Sequence, residues 1–208
     1  RFIVTNSMSE YKIPVMESFY SIQGEGAHSG RPSYFIRLAG CDVNCNWCDV
    51  KDSWEINENQ YKSVTEIINE INKYSAEIVI ITGGEPLMHN LTDLTLAIKK
   101  INKRIHIETS GTHPISGYFD WICFSPKKFK KPLSEFFKIS DELKIIICND
   151  SDFRWAEFIL RKIKNKPELI LQPEWSKSAM INPKILDYIK SNPKWRISIQ
   201  THKYLNID

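Results

Sequence analysis

The sequence predicts an α/β fold, a partial, reduced (β/α) barrel with mainly parallel strands. Three observations carry this. Short apolar runs alternate with segments of helical spacing from about Thr65 onward. Each apolar run ends in glycine or polar residues, which is where α/β barrels and open sheets place their sites. The length of 208 residues falls short of a complete eightfold barrel.

Arg1 to Ser7 look unlike a native start, and Met8 reads as the initiator. Residues 8–208 are therefore taken as a single domain, with 1–7 an added or disordered extension. Val15 to Ile22 reads as extended chain, leading into Gln23-Gly24-Glu25-Gly26. Ser33 to Leu38 is a compact strand with Arg37 embedded in it. Lys51 to Lys62 is polar and reads as a loop. Ile67, Ile68, Ile71 and Tyr74 then follow helical spacing, with Thr65 as the N-cap. Ile78 to Ile81 is wholly apolar, as strands buried on both faces are, and it ends in Thr82-Gly83-Gly84-Glu85-Pro86. A helix through Leu91, Leu94, Ile98 and Ile101 precedes the strand Ile105-His106-Ile107. Further strands are expected at Trp121–Phe124, Leu143–Ile147, Leu169–Leu171 and Ile197–Ile199. Trp155, Ile159, Leu160 and Ile163 mark one more helix face. Lys127 to Glu142, flanked by Pro126 and interrupted by Pro132, is too broken for a full barrel helix.

Composition narrows the function classes. A hydrophobic share of 42% with 25% charged residues is that of an ordinary globule. The net charge of +3 is too slight to imply nucleic acid. No apolar run approaches a membrane span and no signal peptide is evident. Five cysteines, three of them clustered, point to a reducing cytoplasm instead of a secreted disulfide framework.

Those three, Cys41, Cys45 and Cys48, stand in CxxxCxxC spacing, with Trp47 just before the last. An odd number so close together suits a metal or cluster better than a disulfide. Structural zinc wants four ligands, and no fourth Cys or His lies nearby. Three cysteines on an iron–sulfur cube would leave one iron open. In Gln23-Gly24-Glu25-Gly26 the glycines let backbone approach a ligand while Gln23 and Glu25 supply donors and acceptors, or the four residues form a hairpin turn. Arg37 needs an anion, either a structural or a ligand carboxylate.

The cysteine cluster resembles the signature of the radical S-adenosylmethionine superfamily, and Gly83-Gly84-Glu85-Pro86 resembles its second motif. Glu17 to Gly26, Gly30-Arg31-Pro32 and Phe35 to Cys41 resemble, more narrowly, the 7-carboxy-7-deazaguanine synthase family. So do Glu108 to Thr112, Ser125-Pro126-Lys127, Gln172-Pro173 and Gln200-Thr201-His202-Lys203, and the likeness runs from about Met16 to the end.

The resemblance implies a radical SAM type of barrel. It also implies a ring contraction of 6-carboxy-5,6,7,8-tetrahydropterin to 7-carboxy-7-deazaguanine with loss of ammonia, a lyase step toward queuosine-type deazapurines. The three cysteines would hold a [4Fe–4S] cluster whose open iron takes adenosylmethionine. Ile22, Gln23, Gly24 and Glu25 would read the pterin's amide and amino edge. Arg37 would take its carboxylate, while Thr82, His202 and the final carboxylate of Asp208 would touch it. Trp47, Cys48, Asp49, Gly84, Glu85, Ser125, Pro126 and Lys127 would hold adenosylmethionine, together with Gln172, Pro173, Glu174 and Trp175. His202 and Glu25 are the candidates for a general acid in ammonia loss. A homodimer and a flavodoxin- or ferredoxin-type electron donor follow on the same basis; a cytoplasmic location, with neither nucleic acid nor membrane as partner, follows from the composition above.

The chain departs from the family in one place. Many members follow Cys-Asp with a hydroxyl residue that ligates Mg²⁺, but here Val50 follows Asp49. Valine cannot ligate a hard cation. Asp52 or Ser53 would have to substitute, and a reduced Mg²⁺ dependence is expected. Cys123 and Cys148 read as core residues. The runs Lys127 to Lys131 and Arg161 to Lys166 read as solvated faces or a docking patch for an acidic reductase. His28, His89 and His106 show no partners in sequence. Two other readings remain at this point: an activase that generates a glycyl radical on a partner protein, and a zinc-stabilised binding module with a basic face.

Overall fold

A computed structural model describes residues 11–207. The expectations for residues 1–7, Met8 and Asp208 lie outside the described residues. A nine-stranded sheet runs through the chain in the order β3-β1-β2-β4-β5-β6-β7-β8-β9. From β2 (Pro32–Leu38) through β4 (Ile78–Gly83), β5 (Arg104–Thr109), β6 (Trp121–Phe124), β7 (Glu142–Ile147), β8 (Glu168–Pro173) and β9 (Arg196–Ile197), every neighbouring pair is parallel. Only β1 (Lys12–Ile22) runs antiparallel, to β2 on one side and β3 (Tyr61–Ser63) on the other. Mainly parallel strands, as expected, make the architecture a partial barrel.

Strand alternation divides the chemistry between the two faces. Ile36, Leu38, Val79, Ile81, Ile105, Ile107, Leu143, Ile145 and Leu171 belong to the main apolar core. That core is completed by helices α1 (Val64–Ile71), α2 (Thr92–Lys100), α4 (Ser151–Leu160) and α5 (Ser178–Ser191), through Ile67 and Ile71, Leu94 and Ile98, Ala156 and Ile159, and Ile181 and Ile185. The intervening residues Arg37, Thr82, Glu108, Lys144 and Gln172 line a cavity on the opposite, inner face. A smaller apolar cluster of Phe35, Ile78, Ile80 and Phe19 fills the inner face at the amino ends of β2 and β4. The sheet curls enough to bring its ends together: Gly26 N donates to Ser198 Oγ at 2.8 Å, and Thr201 N donates to Gly24 O at 2.9 Å.

Several local expectations are corrected. Ser63, not Thr65, caps α1, because it holds extended backbone (φ −71°, ψ 156°) and its hydroxyl accepts from Glu66 N. Glu66 answers by accepting from Ser63 N at 2.7 Å, closing a capping box. The helix ends at Ile71, so Tyr74 lies beyond it. Lys51 to Lys62 is not all loop: two short 3₁₀ turns, Lys51–Ser53 and Glu58–Gln60, lead into β3, whose first two residues fall inside that stretch. α4 stops at Leu160, leaving Ile163 outside it. Helix α5 was not anticipated, since Pro183 interrupts its pattern; nor was α6 (Thr201–Leu205), which takes the place of a strand end at His202. The broken segment before β7 forms only α3 (Phe136–Ile139), in line with the short connection expected.

Candidate active site

The carboxyl ends of the parallel strands open into a cavity of about 360 Å³. Parallel pairing puts the ends of β2, β4, β5, β6, β7 and β8 on one rim, which is why residues from across the chain meet there. Cys41, Cys45 and Cys48 border this cavity, as do Trp47, Asp49 and Val50. So do Ile22, Gln23, Gly24, Glu25, Arg37, Thr82, Gly84, Glu85, Ser125, Lys127, Gln172, Pro173, Glu174, Trp175 and His202. Pro126 is buried beside Ser125 but does not border it.

The second glycine motif is shaped by the cysteine loop. Gly84 N donates to Leu38 O and Glu85 N to Gly40 O. A Cβ on Gly84 would fall 2.2 Å from Gly40 O, so only glycine lets the two segments lie together. Glu85 is 2% exposed and already saturated. One oxygen accepts from Leu87 N and Thr109 Oγ1, and the other from Ser110 N and Ser110 Oγ. Four donors fill the acceptor positions of a carboxylate. The resemblance counts Glu85 among the residues that would hold adenosylmethionine; in the fold its carboxylate is already held by these four donors.

All three clustered thiols are unbridged. Burial pushes Cys45 up to about 11 and Cys41 upward, while the Lys127 ammonium near Cys45 works against it. Lys127 turns inward as the motif suggested: its Nζ donates to Ser125 O and Oγ, both at 2.7 Å, and lies 5.5 Å from the Trp47 ring centre. Two lysines of the rest of that run are paired, while Lys131 is exposed. Lys128 pairs with Asp152, and Lys130 pairs with Asp42 at 2.6 Å.

A polar network lines the same cavity. Lys144 Nζ donates to Glu25 Oε2 at 2.6 Å and to Glu108 Oε2 at 2.9 Å. Gln200 Nε2 donates to Glu25 Oε1 at 2.8 Å, and Gln23 Nε2 to Glu108 Oε1 at 3.0 Å. Burial alone would raise the Glu25 pKa, but the Lys144 charge and hydrogen bonds bring it down to about 2. Arg37 finds a structural anion through Nε, 2.6 Å from Glu17 Oε1, while also facing the cavity.

Residues 35–125 match the model of the Radical SAM superfamily. The chain is 50% identical over 195 residues to the 7-carboxy-7-deazaguanine synthase of Flavobacterium psychrophilum, covering 94% of this chain and 92% of that protein. It is 47% identical over 194 residues to the enzyme so named from Synechocystis sp., covering 93% of each. This chain belongs to the 7-carboxy-7-deazaguanine synthase family. The crystal structure of QueE from Escherichia coli is similar throughout: TM-score 0.82 at 30% identity, over 91% of this chain and 94% of that one.

As in any radical SAM protein, membership implies a [4Fe–4S] cluster and adenosylmethionine. The donor set fits the cluster. Three unbridged thiols border one cavity, and three thiolates on an iron–sulfur cube would leave one iron open. Thiols held protonated by burial also need a cationic centre to become ligands. Magnesium fits poorly. Val50 offers no side-chain oxygen, and Asp49 Oδ2 is taken by Gln200 Nε2 at 3.1 Å and Lys203 Nζ at 2.5 Å. Asp52 is exposed and does not border the cavity; Ser53 borders it, but its hydroxyl donates to Val50 O at 2.7 Å.

Glu108, Lys144, Gln200 and Lys203 all line the synthase cavity, yet the sequence reading assigned them no role. Lys144 had a signal, a lysine between Leu143 and Ile145, of the same kind that marked Arg37. His28 and His106, expected to lack partners, pack ring to ring at 4.5 Å against Trp121 beneath the cavity. His89 Nε2 meets Ala39 O at 2.8 Å. Cys123 is core as expected, whereas Cys148 is only half-buried just past β7.

Proposed function

We propose that this chain converts 6-carboxy-5,6,7,8-tetrahydropterin to 7-carboxy-7-deazaguanine with loss of ammonia. The observation carrying this reading is that one cavity is lined both by the three clustered thiols and by the carboxylate-and-amide network of Glu25, Glu108, Gln23 and Gln200. Held here, the cluster and adenosylmethionine would supply radical chemistry at the substrate ring; the protein's tasks are binding, orientation and exclusion of water. The Glu25 and Glu108 oxygens would accept from the pterin's amino and ring N–H groups, and Gln23, with the backbone of Ile22 and Gly24, would complete that edge. Arg37 would face the substrate carboxylate, with Thr82 beside it. Gly84, Trp47, Ser125, Lys127 and the turn Gln172 to Trp175 would hold adenosylmethionine. The His202 pKa is lowered chiefly by burial, which favours the neutral imidazole and so a proton acceptor over the general acid expected for ammonia loss.

Anaerobic incubation with the carboxypterin, adenosylmethionine and a reductant should yield a product with the mass of the deazapurine. Adenosylmethionine cleavage without that product, whatever the pterin concentration, would overturn the reading in favour of an activase. Because Val50 replaces a hydroxyl ligand, turnover should persist within about threefold after chelation of Mg²⁺. A strict, saturable Mg²⁺ requirement contradicts this. A homodimer and a flavodoxin- or ferredoxin-type electron donor complete the proposal.

A further inference from the structure

Lys144 sits on β7 between two core residues, yet its side chain turns inward and is only 4% exposed. A buried ammonium costs several kcal/mol unless its partners are well placed. Its partners are two carboxylates from distant parts of the chain, Glu25 after β1 and Glu108 on β5. Each carboxylate has its other oxygen held by an amide, Gln200 for Glu25 and Gln23 for Glu108. All five side chains border the main cavity.

Two carboxylates facing one cavity repel, and without a cation one of them takes up a proton. A protonated carboxyl donates where the substrate's edge needs an acceptor. With one ammonium between them, both stay ionised and their oxygens stay fixed in direction. We propose that Lys144 is a positioning residue that locks Glu25 and Glu108 as a paired acceptor surface for an amino group adjacent to a ring N–H. This deepens the pterin reading above and rests on it.

The surroundings are consistent with that role. Burial would lower the Lys144 pKa, but Cys123, Glu108, Glu25 and Glu142, which face it, act through charge to hold it well above the ordinary value. Facing Glu25 are Lys144, Gln172 and Gln200, with His202 and Asp49 close enough to act through charge. Glu142 is engaged elsewhere, accepting from Ala27 N at 3.0 Å and Trp121 Nε1 at 3.3 Å.

The test uses reconstituted holoenzyme carrying Lys144→Met or Lys144→Arg. Pterin kcat and KM are followed from about pH 6 to 9, alongside uncoupled adenosylmethionine cleavage without pterin. In K144M the pterin KM should rise at least about tenfold and climb further toward low pH as a carboxylate protonates, with kcat changed much less. K144R should recover most of the loss with a flatter profile, and uncoupled cleavage should be unchanged in both. A K144M enzyme with wild-type KM across that range overturns the proposal; so does a raised but pH-independent KM that K144R fails to improve. Should K144M fail to fold, the wild-type pterin KM decides. It should be flat across the range, and an inflection matching a carboxylate there counts against the pair's being locked. Wild-type enzyme that cleaves adenosylmethionine but never turns over pterin overturns the underlying substrate reading instead.

Discussion

A methyl group on Gly24 would lie 2.1 Å from His202 Nδ1 and within 3 Å of two more His202 atoms. The glycine is therefore a seat for the C-terminal helix, reinforced by two bonds from Thr201 to Gly24 O at 2.9 and 3.0 Å. Overpacking of this kind costs about 1–3 kcal/mol. Gly24→Ala should push His202 and α6 away from the cavity and raise the pterin KM by about tenfold. Uncoupled adenosylmethionine cleavage should be retained, because the thiol wall is untouched. Unchanged pterin kinetics in this variant would show that His202 has no part in binding. Gly84 carries a different constraint, since its contact is with the backbone of Gly40 at the head of the cysteine loop.

At the scale of elements, α1 shows what a cap contributes. Ser63 and Glu66 satisfy each other's backbone N–H groups, with a further bond from Ser63 Oγ to Glu66 Oε2 at 2.8 Å. Removing such a cap costs about 1 kcal/mol. Ser63→Ala should lower the melting temperature by about 2–4 °C in a chain of this size. Thr65→Ala should change it far less, and calorimetry of the two variants separates the caps. β7 illustrates a second lesson. Alternation places Leu143, Ile145 and Ile147 in the helix-covered core while Glu142 and Lys144 face inward, so one strand serves packing and chemistry at once. No helix among the described residues is long and apolar enough to cross a membrane.

For the molecule as a whole, acid sensitivity should begin with histidine. His106 is 3% exposed, its Nε2 lacks a partner among the described residues, and burial with the nearby His28 and Arg104 charges drives its pKa to about 3. Between about pH 6.5 and 3 the unfolded chain thus binds a proton that the folded chain refuses, so stability falls as pH falls. His28, His89 and His202 are shifted the same way. Glu25, Asp42, Glu70, Asp120 and Glu157 have depressed values, so their contribution is full above the ordinary carboxylate range and lost below it. Glu142, raised by burial, opposes that trend over a narrow interval. Melting temperature should therefore decline from pH 7 to 5, before most carboxylates titrate, and His106→Gln should flatten the decline. A wild-type melting temperature level across that interval would contradict the assignment.

What the sequence determined by itself was local or periodic. CxxxCxxC followed by Gly-Gly-Glu, alternating strands and helices, and an arginine inside an apolar strand are patterns a short window contains. They sufficed for the parallel sheet and for most of the cavity wall. The tertiary structure alone decided which side chains meet. Glu25 and Lys144 are 119 positions apart, and Glu25 and Gln200 are 175 apart. They touch because the sheet curls its first strand toward its last, and no spacing in the sequence encodes that closure. Glu85's four donors and the His28–His106 stack belong to the same class: both depend on which strand lies beside which. The choice of Ser63 over Thr65 turned on one backbone angle, and α5 was hidden by Pro183 until packing of Ile181 and Ile185 outweighed it. Local chemistry thus marked where a radical would be made, and the fold decided what stands opposite it.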